Sequence, residues 1–230
     1  RPSMRPRSLP PVAIALLLAA AAVAAVPVAD ARAPPTPVCG VCSVDTTVDG
    51  TVVAAGESEL TVSIHENGST TWNARVELTA GSDDLAENES LRRAVVDEAM
   101  GRSIADPEQL SSRMDGETLV VRYRDDGATE QHVGTVVFTP LTPDGPDIPF
   151  AMGGEGPRYL GTDRFTLRAP AGYDLHGDAG QAAQTDSATL VWTQENGTDR
   201  TSLDVTADPV AVGADAGAPG VRTWFARLLS

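Results

Sequence analysis

Lysine is absent from the 230 residues: all 17 basic side chains are arginine, set against 32 acidic ones. Aromatic residues make up 4 %, and there are three histidines and two cysteines. Each shortage excludes something. A tetrahedral zinc site needs four ligands, and His65, His132 and His176 do not stand at ligand spacing from the cysteines. With so few aromatics, the core has to come mostly from Val, Leu and Ala, for which 41 % hydrophobic residues suffice. The net charge of −15 disfavours nucleic acid or an anionic membrane surface as partner, because phosphate repulsion adds to self-repulsion. Also missing are G-x-S-x-G, a Cys-His or Ser-His-Asp signature, a P-loop and a dinucleotide fingerprint. His65-Glu66-Asn67 begins like HExxH and stops short of it.

What is abundant points to an environment. An acidic surface suits a solvent in which molar salt shortens the Debye length to about 3 Å. The missing Lys and the richness in Ala, Val, Thr and Asp resemble proteins of halophilic archaea; the alternative is an acidic secreted protein from a GC-rich bacterium.

The N-terminus reads as an address. Arg1, Arg5 and Arg7 precede the uncharged apolar stretch Val12–Val28, and Ala29-Asp30-Ala31 places small residues where a signal peptidase reads. Cleavage after Ala31 is expected, with an uncleaved anchor as the alternative; it removes three Arg and Asp30, leaving 31 acidic against 14 basic residues and a net charge of −17. The sequons at Asn67, Asn88 and Asn196 suit export, so these three are the candidate glycosylation sites.

Residues 32–58 read as a spacer carrying Cys39-Gly40-Val41-Cys42, with Thr46–Glu57 a linker or an edge strand. In ELTVSIH, residues 59–65, apolar Leu60, Val62 and Ile64 alternate with polar neighbours, the period of a half-buried strand. Asn67-Gly68 predicts a tight hairpin turn in which both residues take positive φ, and TTWNARVELT returns with Trp72, Ala74, Val76 and Leu78 on one face. Residues 82–101 change to helical period: a cap at Ser82 or Asp83, a stripe of Leu91, Ala94, Val95 and Ala99, an i,i+4 pair Glu89–Arg93, and a stop at Gly101. TLVVRYR, the turn at Asp125-Asp126-Gly127 and EQHVGTVVFTP predict a second hairpin. Residues 139–157 are a Pro- and Gly-rich loop, after which DRFTLRAP, ATLVWTQ, a second Asn-Gly turn and RTSLDVTA resume strands. Residues 209–220 read as a flexible linker before the apolar tip VRTWFARLLS, in which Trp224 is placed to sit at a membrane interface or the tip folds back on the domain.

Four chemistries compete for Cys39 and Cys42. A thioredoxin-like pair needs a CxxC that opens a helix after a strand, and this one follows a Pro-rich spacer. Zinc lacks ligands, and Thr36-Pro37-Val38 makes a poor lipid-attachment box. A local disulfide, closing a small loop near the membrane-proximal end, is the expected state in an exported chain. The acidic clusters Asp83-Asp84, Asp125-Asp126 and Asp144/Asp147 have no calcium-loop pattern and are expected as solvated loops and helix starts.

The order of leader, CxxC, ELTVSIHENGSTTWNARVEL, the helix with LRRAVVDEA, β region and apolar tip resembles a group of haloarchaeal exported proteins of unknown function. The resemblance covers residues 39–206 and implies a surface-displayed domain, with no catalytic residue to carry over.

The expectation is therefore an α+β fold, mainly antiparallel β hairpins with one amphipathic helix packed on the sheet. It comprises a signal peptide at 1–31, the spacer at 32–58, a β-rich extracytoplasmic domain at 59–208, and a linker with apolar tip at 209–230. The expected role is non-catalytic binding, sensing or envelope structure, with an unknown protein or envelope partner, no cofactor, no metal, no nucleic acid, and a membrane tether through the leader or the C-terminal segment. The alternatives are a secreted hydrolase or cation-dependent enzyme, with the 140–157 loop as lid over Asp144, Asp147 or His176, and a small-molecule or metal-binding module.

Overall fold

The computed structural model describes residues 33–132, 134–142, 156–176, 183–193 and 208–229. Its strands are β1 (Thr36–Pro37), β2 (Asp45–Val48), β3 (Thr51–Ile64), β4 (Thr70–Ala80), β5 (Glu108–Asp115), β6 (Thr118–Asp125) and β7 (Thr129–His132). They continue with β8 (Thr135–Phe138), β9 (Arg158–Tyr159), β10 (Arg164–Arg168), β11 (Tyr173–His176), β12 (Ala183–Asp186), β13 (Thr189–Thr193) and β14 (Val210–Gly213). The helices are α1 (Ser82–Glu87), α2 (Glu89–Met100) and α3 (Pro219–Leu229).

Eight of these strands form one large sheet in the order β12-β13-β10-β3-β4-β6-β5, with β2 also paired to β3. All its pairings are antiparallel except β10 with β3. Four others form a small sheet, β11-β14-β8-β7, antiparallel throughout. The fold is thus α+β and dominated by antiparallel sheet, as the sequence predicts.

Period 2 along each strand of the large sheet sends one set of side chains inward. Leu60, Val62, Trp72, Ala74, Val121, Tyr123, Phe165, Leu167 and Trp192 are all buried on that face. Five of the ten aromatic rings run through the interior as a chain, Tyr123–Trp72–Phe138–Phe165–Trp192, with successive centroids 5.5, 6.0, 6.4 and 5.1 Å apart. Phe138 belongs to β8, so the chain stitches the small sheet to the large one. On the other side of β8, Val137 packs with Val210 and Val212 of β14 and with Ala226 of α3. The small sheet is a middle layer, covered on both faces, which is why β8 is buried at every position.

Several expectations need correction. Residues 82–101 form two helices: Asn88 adopts an extended conformation (φ −124°, ψ 97°), and its side chain accepts the Leu91 N–H, capping α2. The residue before α1 is Gly81 at φ 84°, with no side-chain cap from Ser82 or Asp83. The buried stripe of α2 is Leu91, Val95, Val96, Ala99 and Met100, and Ala94 faces solvent. In the β3–β4 turn only Gly68 has positive φ (80°); Asn67 Oδ1 accepts the Ser69 N–H, and the Gly68 N–H bonds to the His65 carbonyl. That makes a turn followed by a left-handed glycine in place of the two-residue turn. EQHVGTVVFTP does not pair with β6: Asp125-Asp126-Gly127 carries the chain out of the large sheet into the small one. The linker expected from residue 209 contains β14, inserted between β8 and β11, and the tip is α3, folded back on that sheet.

The spacer expected at 32–58 is part of the fold from Ala33 onward. β3 starts at Thr51, eight residues before ELTVSIH, and pairs with β2 through an Asp49-Gly50 turn in which both residues have positive φ. β1 lies parallel to β9, and the N–H groups of Val38 and Cys39 bond to the carbonyls of Tyr159 and Leu160. Cys39 and Cys42 form a disulfide, and with Val38, Val41 and Val44 they are no more than 2 % exposed. The disulfide is therefore part of the hydrophobic core. Gly40 is dictated by close approach: a Cβ there would lie 2.5 Å from the Ala99 carbonyl oxygen at the end of α2.

Candidate ligand-binding face

The side chains that period 2 turns away from the core share the outer face of the large sheet. The strand registers arrange them in rows. One row reads Thr166, Thr61, Asn73, Arg122, Ser111 across β10, β3, β4, β6 and β5. On one side of it run Arg168, Ser63, Thr71, Arg124 and Glu108. On the other run Arg164, Glu59, Arg75, Val120 and Arg113. Hydroxyls, one amide and guanidinium groups, with the carboxylates of Glu59 and Glu108 and the side chain of Val120, thus tile a lattice whose cross-strand neighbours are about 5 Å apart.

A shallow hollow of about 460 Å³ lies over the central row and reaches into both flanking ones, lined by Thr61, Ser63, Asn73, Arg113, Arg122 and Arg168 among others, with no acidic residue. Six of the chain's 17 arginines stand on this face, although the whole chain carries −15. Among the described residues Arg122 and Arg168 have no ion-pair partner, and Arg113 lies 3.6 Å from Asp115 in an exposed pair of little energetic weight. A neighbouring hollow of about 430 Å³, lined by Glu57, Glu59, Glu77, Asp163, Arg75 and Arg164 with two hydroxyls, has the opposite balance. The face accordingly divides into a basic half and a mixed, mainly acidic half.

Chemically, the basic half can donate. Arg122 and Arg168 offer guanidinium forks matched to carboxylate, sulfate or phosphate oxygens, and Thr61, Ser63, Thr71 and Asn73 both donate and accept. No aromatic ring lines either hollow, so stacking on sugar or base faces is not available there.

Beneath the sheet lies a buried polar knot. The Trp72 indole N–H donates to Thr70 Oγ1 at 2.7 Å, and the Thr70 hydroxyl donates to the Asp125 carbonyl at 2.6 Å. Asp125, expected in a solvated loop, is 4 % exposed, and its carboxylate accepts the N–H groups of Gly127 and Asp106. Burial raises its pKa, opposed by those backbone donors. Burial also pushes the Tyr123 hydroxyl well above its ordinary value, and the Asp125 charge adds to that. These bonds tie the start of β4 to the end of β6.

The remaining expected residues are dispersed. Asn67 and Asn88 are exposed; each Oδ1 accepts the hydroxyl of its own sequon serine at 2.7 Å, which leaves the amide nitrogen, the atom a glycan occupies, outside these bonds. Asn196, Asp144 and Asp147 lie outside the described residues, as do the leader and most of the 140–157 loop. His176 ends β11 opposite Val210. His65 Nε2 is 2.7 Å from Thr71 Oγ1, and His132 pairs with Glu130 at 3.1 Å. Among the described residues no group of His, Cys, Asp and Glu is arranged to hold a metal ion, and no helix is long and apolar enough to cross a membrane.

The lattice residues were missed in the sequence. Their signal was the polar half of each alternating strand, meaningful only once register placed Arg122 beside Asn73 and Thr61. No protein-family model, curated protein or solved structure matches this chain.

Proposed function

We propose that this chain is an exported, surface-displayed binding domain without catalytic chemistry, and that its ligand face is the basic half of the outer sheet face. The ligand class that fits is a hydroxylated polyanion of the cell envelope, such as an acidic polysaccharide bearing carboxylate or sulfate groups. The observation that carries this reading is the hollow lined by Arg113, Arg122 and Arg168 with no acidic residue in its lining, in a chain of net charge −15. In an acidic protein, two arginines without an ion-pair partner among the described residues, Arg122 and Arg168, in a hollow with no acidic lining are a local exception to the field of the whole surface, and they favour an anionic ligand. The hydroxyls and Asn73 add the two-way hydrogen bonding that a sugar requires. The leader, the sequons at Asn67, Asn88 and Asn196 and the resemblance to haloarchaeal exported proteins support placement outside the cytoplasm.

The test is calorimetric titration with an oligogalacturonate, using a neutral oligosaccharide of equal length as control, at 0.1 M and 2 M NaCl. The acidic sugar is expected to bind and the neutral one to fail. Arg122→Gln with Arg168→Gln is expected to weaken binding by roughly tenfold or more, since each charged hydrogen-bonding group contributes about 1.5–3 kcal/mol. Equal binding of both sugars, or of the double variant and its parent, overturns the assignment.

A further inference from the structure

The helix α3 is amphipathic in the wrong sense for a helix packed on a sheet. Val221, Trp224, Phe225, Leu228 and Leu229 recur at i, i+3, i+4, i+7 and i+8, the spacing of a single apolar stripe. In a core-facing helix that stripe points inward. Here the small residues Thr223 and Ala226 face the sheet, and the five stripe residues are 49–65 % exposed. Among the described residues the only other exposed large hydrophobic side chain is Val52. Trp224 and Phe225 meet edge to face, with centroids 4.9 Å apart, at the middle of the stripe.

We infer that α3 docks the domain onto a lipid bilayer, lying in the interface with its apolar stripe inserted among the acyl chains. The surface composition is that of an interfacial helix: Trp, Phe and Leu on one face, two arginines and no acidic residue between Pro219 and Leu229. Arg227 is held at the helix flank by its bonds to the Asp208 carbonyl, and the Arg222 Nε donates to the Gly217 carbonyl, so the cations border the stripe. A second copy of the chain fits this surface less well. The stripe offers on the order of 500 Å², short of the roughly 800 Å² per partner of a stable interface, and two copies repel through their acidic surfaces.

The layering adds an orientation. From outside inward the order is outer face, large sheet, aromatic core, small sheet, α3. A domain lying on α3 therefore turns its basic face away from the membrane. The docking is carried by a different element from that face and does not depend on the ligand assigned to it.

Salt separates this docking from an electrostatic one. The acidic surface repels anionic lipid, and molar salt screens that repulsion while leaving apolar insertion intact. The experiment is fluorescence of the full chain with vesicles of phosphatidylcholine or of phosphatidylcholine and phosphatidylglycerol, carrying acyl-chain bromine. Of the three tryptophans, Trp72 and Trp192 are buried and Trp224 is exposed, so bromine quenching reports α3 even if another segment also binds lipid. Quenching is expected with both vesicle types, and stronger with the anionic ones at 2 M than at 0.1 M NaCl. Phe225→Ser with Leu228→Ser is expected to lower the partition coefficient of α3 by roughly tenfold or more, with the emission of Trp72 and Trp192 unchanged. Absence of Trp224 quenching at both salt concentrations overturns the inference. So does a dimer by sedimentation equilibrium that the same double variant abolishes.

Discussion

Removing the Cys39–Cys42 bridge separates two contributions that the fold combines. The cysteines are three positions apart, so the closed loop holds four residues, and its closure entropy contributes about 2 kcal/mol. Replacing both by alanine also empties two sulfur positions that are 1 % and 2 % exposed. Each deleted group of methylene size costs about 1 kcal/mol in transfer and cavity terms. Cys39→Ala with Cys42→Ala is therefore expected to lose about 4 kcal/mol, and the reduced parent, which keeps its sulfur atoms, about 2 kcal/mol. In urea, with a slope of about 2 kcal/mol/M, the midpoints fall by about 2 M and 1 M respectively. Unfolding is followed by the emission of buried Trp72 and Trp192 in molar NaCl. A second readout uses the folded parent alone: dithiothreitol reduces the buried bridge no faster than the protein opens, so reduction is slow and accelerates with urea. Rapid reduction under native conditions, or equal midpoints for parent and double variant, refutes the placement of this segment in the core.

Three further outcomes follow from named contacts. Gly40→Ala sets a Cβ 2.5 Å from the Ala99 carbonyl, and is expected to cost about 1–3 kcal/mol by overpacking; an unchanged melting temperature is the contrary result. Asn88→Ala removes the acceptor for the Leu91 N–H, costs about 1 kcal/mol and raises amide hydrogen exchange in the first turn of α2; exchange unaltered there argues against the cap. Asp125 has a folded pKa raised by burial, so its contribution is intact below the ordinary carboxylate range and is lost as pH rises through the raised value. Asp125→Asn is therefore expected to gain stability relative to the parent as pH rises across that window, measured as the difference between two urea titration series; a flat difference curve denies the shift.

The alternation in ELTVSIHENGSTTWNARVEL was legible because a half-buried strand repeats every two residues and its partner follows within a few. β10 and β13 were legible as strands but not as partners, because β11 and β12 lie between them in the chain. What escaped needed distant partners. Val210-Ala211-Val212-Gly213 is too short and too small to announce a strand, and it becomes one only between β8 and β11. Cys39-Gly40-Val41-Cys42 reads as a surface staple until residues 157–161 and the end of α2 close over it. The break at Asn88 hides inside a continuous helical period, because the side chain that ends one helix also starts the next. The candidate face escaped for a different reason: arginines on alternate positions of separate strands look like ordinary solvent-facing residues until register aligns them.

The position of β14 sets a constraint on folding order. A chain that emerges N-terminus first completes β3, β4, β6 and β5 early, since these are near neighbours in sequence. The middle layer has to wait, because β8 and β11 have no mutual pairing and only β14, which follows both in the chain, bridges them. Until residues 210–213 arrive, two strand edges stay open and the aromatic chain lacks its cover. Such closure by a distant segment gives high contact order and slow final folding, so the half-made chain is the form most exposed to aggregation and proteolysis.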